Sequence, residues 1–223
     1  QGPFQTAVWT RHCGLATTPH EAGANHDEVP VPEAGRLLNL RTDELVQMAY
    51  SSSPYRSAIG MAALNSLLDV DERLCVELNG ADLLAQKGSD KRIALVGHFP
   101  FVPQLRDAAK ELWVIERQPR EEDFPESEAA RLIPQADVVG ITGAAFMNGS
   151  LEWLLGLCSS KAYVVILGGT APLSLILLEH GADAVAGTRV LQPEIVLPLV
   201  SEGAVFRQIK GVKRLILTKQ RLP

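Results

Sequence analysis

The chain has no cysteine pair. Cys13, Cys75 and Cys158 lie far apart, with no CxxC among them. An odd, scattered set of thiols suits a reducing compartment better than a disulfide framework. Cys158, on an apolar helical face, reads as a small hydrophobe. No apolar run approaches the roughly 20 residues that a membrane span needs, and the first residues lack the basic-then-apolar pattern of a signal peptide. The expectation is therefore no membrane partner and a cytoplasmic protein. No Met opens the chain, so the natural start is expected upstream of Gln1. Lysine and arginine are spread thinly, without a basic stripe, against a net charge of −5. The electrostatic footprint of a nucleic-acid binder is thus missing, as is an acidic tail for a basic partner. There is no HExxH, GxSxG, Walker or kinase signature, so hydrolytic triads and phosphate-loop chemistry have no support.

What is present is an ordinary globular composition, with 46% hydrophobic and 21% charged residues in 223. That is enough for one large domain or two small ones, each with its own core. Lys87-Gly88-Ser89-Asp90 is a plausible hinge, giving an expected division into residues 1–88 and 89–223. In the first part, residues 4–10 and 15–18 flank a turn at Arg11-His12-Cys13-Gly14 and read as a β-hairpin. Thr17 to Arg36 is polar and turn-rich, a long loop. Leu37 to Leu40 reads as a third short strand. A helix is expected from Thr42 as its N-cap, with Asp43 and Glu44 at the positive end of the dipole and Leu45, Met48 and Ala49 on its apolar face. Ser53-Pro54 opens a second helix. Its small side, Ser57, Gly60 and Ala63, fits either close helix-on-sheet packing or a ligand. A short helix near Ala81 to Gln86 follows.

Five short apolar runs recur in the second part: 93–96, 112–115, 138–141, 163–167 and 184–186. Continuous hydrophobicity means burial on both faces, as in a parallel sheet, and a helix-length segment after each run argues for a Rossmann-like, doubly wound α/β domain. Stop and start signals agree: Thr170 before Ala171-Pro172, His180 then Gly181, Pro193 and Gly203, and Asn148 or Ser150 ahead of Leu151, Leu154, Leu155 and Cys158. The tail from Arg214 to Thr218 reads as a sixth strand.

In such a sheet, ligands bind beyond the carboxyl ends of the strands, where the strand order reverses. Those ends are Gly97-His98-Phe99-Pro100, Glu116-Arg117, Thr142-Gly143-Ala144, Gly168-Gly169-Thr170-Ala171-Pro172 and Gly187-Thr188-Arg189. Small residues there let a ligand approach the backbone and expose N–H groups that favour anions, although βα turns need glycine in any case. Glu116 lies about 20 residues past Gly97, where a nucleotide-binding domain places an acid on a ribose. Yet Gly97-His98-Phe99-Pro100 is no GxGxxG, so a dinucleotide site is not indicated. The alternative for Glu116 is a solvated acid paired with Arg117 or Arg120. His98, directly after a buried strand, could be a metal ligand, a proton carrier or a hydrogen-bond donor, with Glu116 its nearest candidate partner. His12, Cys13, His20 and His26 form another group, but their spacing matches no standard zinc pattern.

Three motifs in order, Ala58-Ile59-Gly60-Met61-Ala62-Ala63-Leu64-Asn65, Val96-Gly97-His98-Phe99-Pro100, and Gly169-Thr170-Ala171-Pro172-Leu173 with Glu179-His180-Gly181, resemble the putative heavy-metal chelatase family. The resemblance covers nearly the whole chain, is strongest from Ala58 to Gly187 and weak before Leu37. It implies an enolase-N-terminal-like α+β domain followed by a Rossmann-like domain, with an active site in the cleft between them. By resemblance, Gly97, His98, Phe99, Pro100, Glu116, Thr142, Gly143, Gly169, Thr170 and Pro172 would line that cleft, and Asn65 would approach from the first domain. His12-Cys13 and Arg189 depart from the family and inherit no role.

These lines lead to metal handling, with a transition metal or a small metal-bearing molecule as ligand and His98 and Glu116 as its polar groups. Whether a reaction is catalysed stays open, because only three Trp, three Tyr and six Phe are available to sandwich a large ring. The rival is a non-catalytic module for a small anionic or nucleotide-like ligand. A homodimer through apolar helix faces is a further expectation.

Overall fold

The computed structural model describes residues 1–19 and 29–219. They fall into two compact units. One comprises Gln1–Val70, Phe146–Asn148 and Thr188–Lys213; the other comprises Asp71–Ala145, Gly149–Gly187 and Arg214–Pro223. Among the described residues no helix is long and apolar enough to cross a membrane.

The first unit opens with the expected hairpin, β1 (Gln5–Trp9) antiparallel to β2 (Cys13–Thr17), in the register Trp9↔Cys13. Leu37–Asn39 is a 3-10 turn and not the strand expected there. The segment satisfies its own backbone locally, Asn39 N–H donating to Arg36 O and Leu40 N–H to Leu37 O. Leu37 and Leu40 pack inward, while Leu38 is fully exposed. α1 (Thr42–Gln47) is capped one residue earlier than expected: Arg41, not Thr42, is the N-cap, and the Glu44 carboxylate accepts the Arg41 N–H at 2.8 Å. Leu45 and Met48 are buried, as their spacing requires.

α2 (Pro54–Leu67) begins with Ser53 Oγ accepting the Arg56 N–H. It is buried on several sides, which explains its run of small residues. On one side lies the turn Met48–Tyr50, where Ser57 Oγ–H donates to Ala49 O at 3.0 Å. On another lies β2, where a Cβ on Gly14 would stand 2.1 Å from Ala62 O. The Ser57/Gly60 face therefore packs on a turn, and it is Ala62 and Ser66 that meet the hairpin.

The second unit is built on an eight-stranded, mainly parallel mixed sheet. Its strands are β3 (Cys75–Val76), β4 (Arg92–Val96), β5 (Glu111–Glu116), β6 (Phe124–Pro125), β7 (Val138–Thr142), β8 (Tyr163–Leu167), β9 (Ala184–Val190) and β10 (Val212–Thr218). The order is β3-β10-β9-β8-β7-β4-β5-β6. All five apolar runs are parallel strands in it, and the tail is β10, antiparallel to β3. The order reverses at β4, which has β5 on one side and β7 on the other.

Leu83 and Leu84 of α3 (Gly80–Gly88) and Val102 and Leu105 of α4 (Val102–Ala108) pack on Ile93, Leu95, Val114, Val138, Val165 and Leu167. The alternating strand residues Ala94, Ile115, Val139, Ile141, Val164 and Ile166 are equally buried. Burial of both faces is what makes these runs continuous rather than alternating. α5 (Ala129–Leu132) and α6 (Leu151–Leu157) follow β6 and β7. α7 is only Leu175–Glu179, starting later than Thr170-Ala171-Pro172 suggests. There, Ala171 N–H turns back to Gly168 O and Ser174 N–H to Pro172 O, so residues 171–174 form a tight connection in place of a first helical turn. Gly181, with φ +109, ends it as anticipated. α8 (Pro193–Ser201) belongs to the first unit, where Val196 and Val200 pack with Cys13 and Leu15.

Candidate functional site

β4 ends at the point where the strand order reverses, and its last turn is tightly held. The Gly97 N–H prolongs the ladder to Ile115 O at 2.9 Å. Gly97 then takes φ +100, and a Cβ there would sit 3.0 Å from Thr142 Cβ and 3.2 Å from the Phe99 ring. Next, the His98 N–H donates to Glu116 Oε2 at 2.9 Å, while Glu116 Oε1 accepts the Arg117 N–H at 2.8 Å. Glu116 thus meets His98 through the backbone and fastens the β4 turn to the end of β5. It is not paired with the guanidinium of Arg117, which lies 3.5 Å from Glu126.

The carboxylate that meets the His98 ring is Asp123. Nδ1 lies 2.9 Å from Oδ2 and 3.2 Å from Oδ1, and Oδ2 also accepts the Arg120 N–H at 3.1 Å. The Asp123 side chain is 1% exposed and that of His98 21%. An ionised carboxylate can only accept, so Nδ1 carries the proton and a neutral ring keeps its lone pair on Nε2. Among the described residues Nε2 has no hydrogen-bond partner. A sealed acid behind an imidazole that remains reachable by solvent fixes the ring's tautomer and orientation.

Asp123 does not stand out in the sequence. It lies 25 residues from His98, beside Glu121 and Glu122, and no local periodicity separates the three acids. The available signal is Phe124-Pro125: an apolar residue directly after an acidic run marks the chain returning to the sheet, here as β6 paired Ile115↔Phe124.

The other expected residues divide. Phe99 stacks on Phe101, ring centroids 4.9 Å apart, and packs on the core. Pro100 is exposed. Thr142 Oγ1 accepts the Ala144 N–H at 3.3 Å. Gly169, Thr170 and Pro172 are buried. Asn65 lies in the first unit, its Nδ2–H donating to Leu15 O at 2.9 Å, which ties α2 to β2.

The glycine-rich rim is mostly explained by packing. A Cβ on Gly143 would be 2.6 Å from Ala171 N, and one on Gly187 2.8 Å from Ala171 O. With Gly97 pressed on Thr142, these glycines serve close contacts within the protein. Gly168 is the exception: at φ +119, a Cβ would meet only Gly143 N, at 3.9 Å.

Among the described residues no group of three or more His, Cys, Asp or Glu converges as a metal cage. His12 Nε2 is 3.0 Å from Asp69 on the surface, and His20 and His26 lie outside the described residues. Burial pushes the thiols of Cys13 and Cys158 up to about 11. Both are therefore protonated at neutral pH. At pH 8 they are expected to alkylate at least ~100-fold more slowly than an unperturbed thiol. Iodoacetamide labelling followed by peptide mass analysis should find Cys75 modified first and the other two only after denaturation.

A family model described as "Putative heavy-metal chelation", DUF364, matches residues 79–219, and a second with the same description, DUF4213, matches residues 1–68. An uncharacterised protein of Methanocaldococcus jannaschii is 26% identical over 186 residues, covering 79% of this chain and 71% of its own. A crystal structure of a DUF364-family protein of unknown function from Desulfitobacterium hafniense superposes with a TM-score of 0.80 at 22% identity, over 98% of this chain and 90% of that one. A second, from Pyrococcus horikoshii, gives 0.75 at 20% identity, over 93% and 84%. At these identities the two structures speak for the fold.

Proposed function

The chain belongs to the DUF364 family, described as putative heavy-metal chelation, and from that premise we propose that it binds a heavy-metal ion through His98 at the C-terminal ends of β4 and β5. In this reading Nε2 is the donor, Asp123 orients the ring, and Glu116 serves by holding the His98 backbone in place. The observation that carries it is the His98–Asp123 pair, in which a buried carboxylate fixes Nδ1 and leaves Nε2 available. A carboxylate behind a ligating imidazole is the usual outer-shell arrangement of protein metal sites. The strand order also supports a Rossmann-like reading of the second unit, with the ligand at its switch point. The helix-backed hairpin is compatible with an enolase-N-terminal-like first unit.

The test is site-resolved. Ni2+ is titrated into the protein while the histidine ring resonances are followed by NMR, with the His98 signals assigned by their loss in His98→Ala. The His98 signals are expected to broaden first, and His98→Ala is expected to lose that binding event while keeping its fold. Broadening of His12 and His180 alone, with His98 untouched, would sink the reading. Gly168, around which packing leaves open space, favours a second reading in which a small anionic ligand lies against the β8 turn. Metal-free thermal stabilisation by nucleotides would support that instead.

A further inference from the structure

Around His98, among the described residues, the nearby side-chain donors Asp123, Glu116 and Thr142 already hold hydrogen bonds, and only the imidazole Nε2 does not. His98 Nδ1 is bonded to Asp123. The Asp123 carboxylate accepts from both His98 and the Arg120 N–H and is 1% exposed. The two Glu116 oxygens each accept a backbone N–H, at 2.9 and 2.8 Å. Their positions are thereby fixed on the backbone of the β4 turn and of the residue after β5, not turned toward the His98 ring. Thr142 Oγ1 accepts from Ala144, and among the described residues no further His, Cys, Asp or Glu joins His98 in a cage. What the site offers is a single, rigidly aimed imidazole nitrogen.

A structural metal site closes its coordination sphere with four protein ligands, and a catalytic one typically uses three. One imidazole replaces a single water on a hydrated cation and leaves the rest of the shell in place, so it serves equally well to complete the sphere of a metal whose other positions are already filled. We infer that this site takes a metal already held by an organic chelator, with His98 Nε2 as the only protein donor. The cargo would be the metal complex rather than the bare ion. This rests on His98 being the metal-facing group, as proposed above, and extends it to the class of ligand.

The experiment compares two probes at the same site, using the full chain and the site-resolved NMR titration. One probe is Ni2+ alone. The other is Ni(II)–nitrilotriacetate, in which the chelator fills most of the coordination sphere and leaves adjacent water-bearing positions open. With one protein donor, occupying the rest of the sphere removes nothing the protein was using. The two dissociation constants at His98 are therefore expected to agree within about tenfold, and both events are expected to vanish in His98→Ala. A site with three protein donors would lose the chelated probe by about a thousandfold or more while holding the bare ion tightly. That result overturns this inference and leaves His98 as a metal ligand. If neither probe reaches His98, the metal reading itself falls, and this inference with it.

Discussion

Gly60→Ala is expected to be among the most destabilising single substitutions in the chain, costing about 3 kcal/mol through overpacking of a filled interior. A Cβ at position 60 would stand 1.9 Å from Ala49 N, 2.5 Å from Ala49 Cα and 2.6 Å from Met48 C. All three are backbone atoms, so no side-chain rotation relieves the overlap. α2 cannot back away from the Met48–Tyr50 turn either. Its other side is pressed on β2, where a Cβ on Gly14 would meet Ala62 O at 2.1 Å and Ser66 N at 2.4 Å. Moving the helix also breaks the 3.0 Å bond from Ser57 Oγ to Ala49 O. Gly156→Ala is the matched control. That glycine is exposed near the end of α6, with no atom within 4 Å of where the new methyl would stand and no positive φ. There the added methyl is expected to be neutral or to stabilise by up to about 1 kcal/mol. Urea denaturation of the two variants reads the difference. Equal midpoints would show that α2 is not held between two surfaces.

The same helix shows how far the sequence could be read. The spacing of Ser57, Gly60 and Ala63 announces a close approach, but a small residue does not say what approaches it. A sheet and a ligand both fit that spacing, and the partner is a turn of the chain just upstream. The parallel strands were legible for a stronger reason. Burial on both faces forces an uninterrupted apolar run such as Tyr163 to Leu167, and few other local structures require one. Two-residue strands such as β3 and β6 carry no such signature, because pairing at a sheet edge needs only backbone. Leu37 to Leu40 misled in the opposite direction: a short apolar run satisfied its hydrogen bonds within itself, with Leu37 and Leu40 anchored and Leu38 fully exposed between them.

At the candidate site, His98 and Glu116 were legible because each directly follows an apolar run, and the end of a buried strand fixes where the next side chain emerges. Their relation was not. Sequence placed a carboxylate near an imidazole, but only the register of β4 with β5 decides that Glu116 reaches the His98 backbone rather than its ring. The glycines were legible as turns and ambiguous as a cradle. Their surroundings decide it for Gly97, Gly143 and Gly187, where the space a ligand would need is filled by Thr142, Ala171 and Leu173.

Asp123 separates a functional imidazole from a loop fastener. In Asp123→Asn, the remaining amide oxygen can occupy the Oδ2 position, 2.9 Å from His98 Nδ1 and 3.1 Å from the Arg120 nitrogen, and still accept from both. The bonding geometry survives while the negative charge is lost. If the carboxylate serves to orient and enrich Nε2 as a donor, metal affinity at His98 is expected to fall by about 10- to 100-fold with little change in the denaturation midpoint. Asp123→Ala removes the acceptor altogether. It leaves the part-buried His98 Nδ1–H and the exposed Arg120 N–H without this partner, and is expected to cost about 0.5–1.5 kcal/mol of stability as well as affinity. The pair of variants therefore splits charge from scaffold. A loss of affinity in asparagine without a loss of stability assigns Asp123 to the ligand's electrostatics. Wild-type affinity in asparagine, with destabilisation confined to alanine, would mean that the acid merely ties the Arg120–Asp123 turn to β4, and His98 would lose the feature that distinguishes it from any exposed histidine.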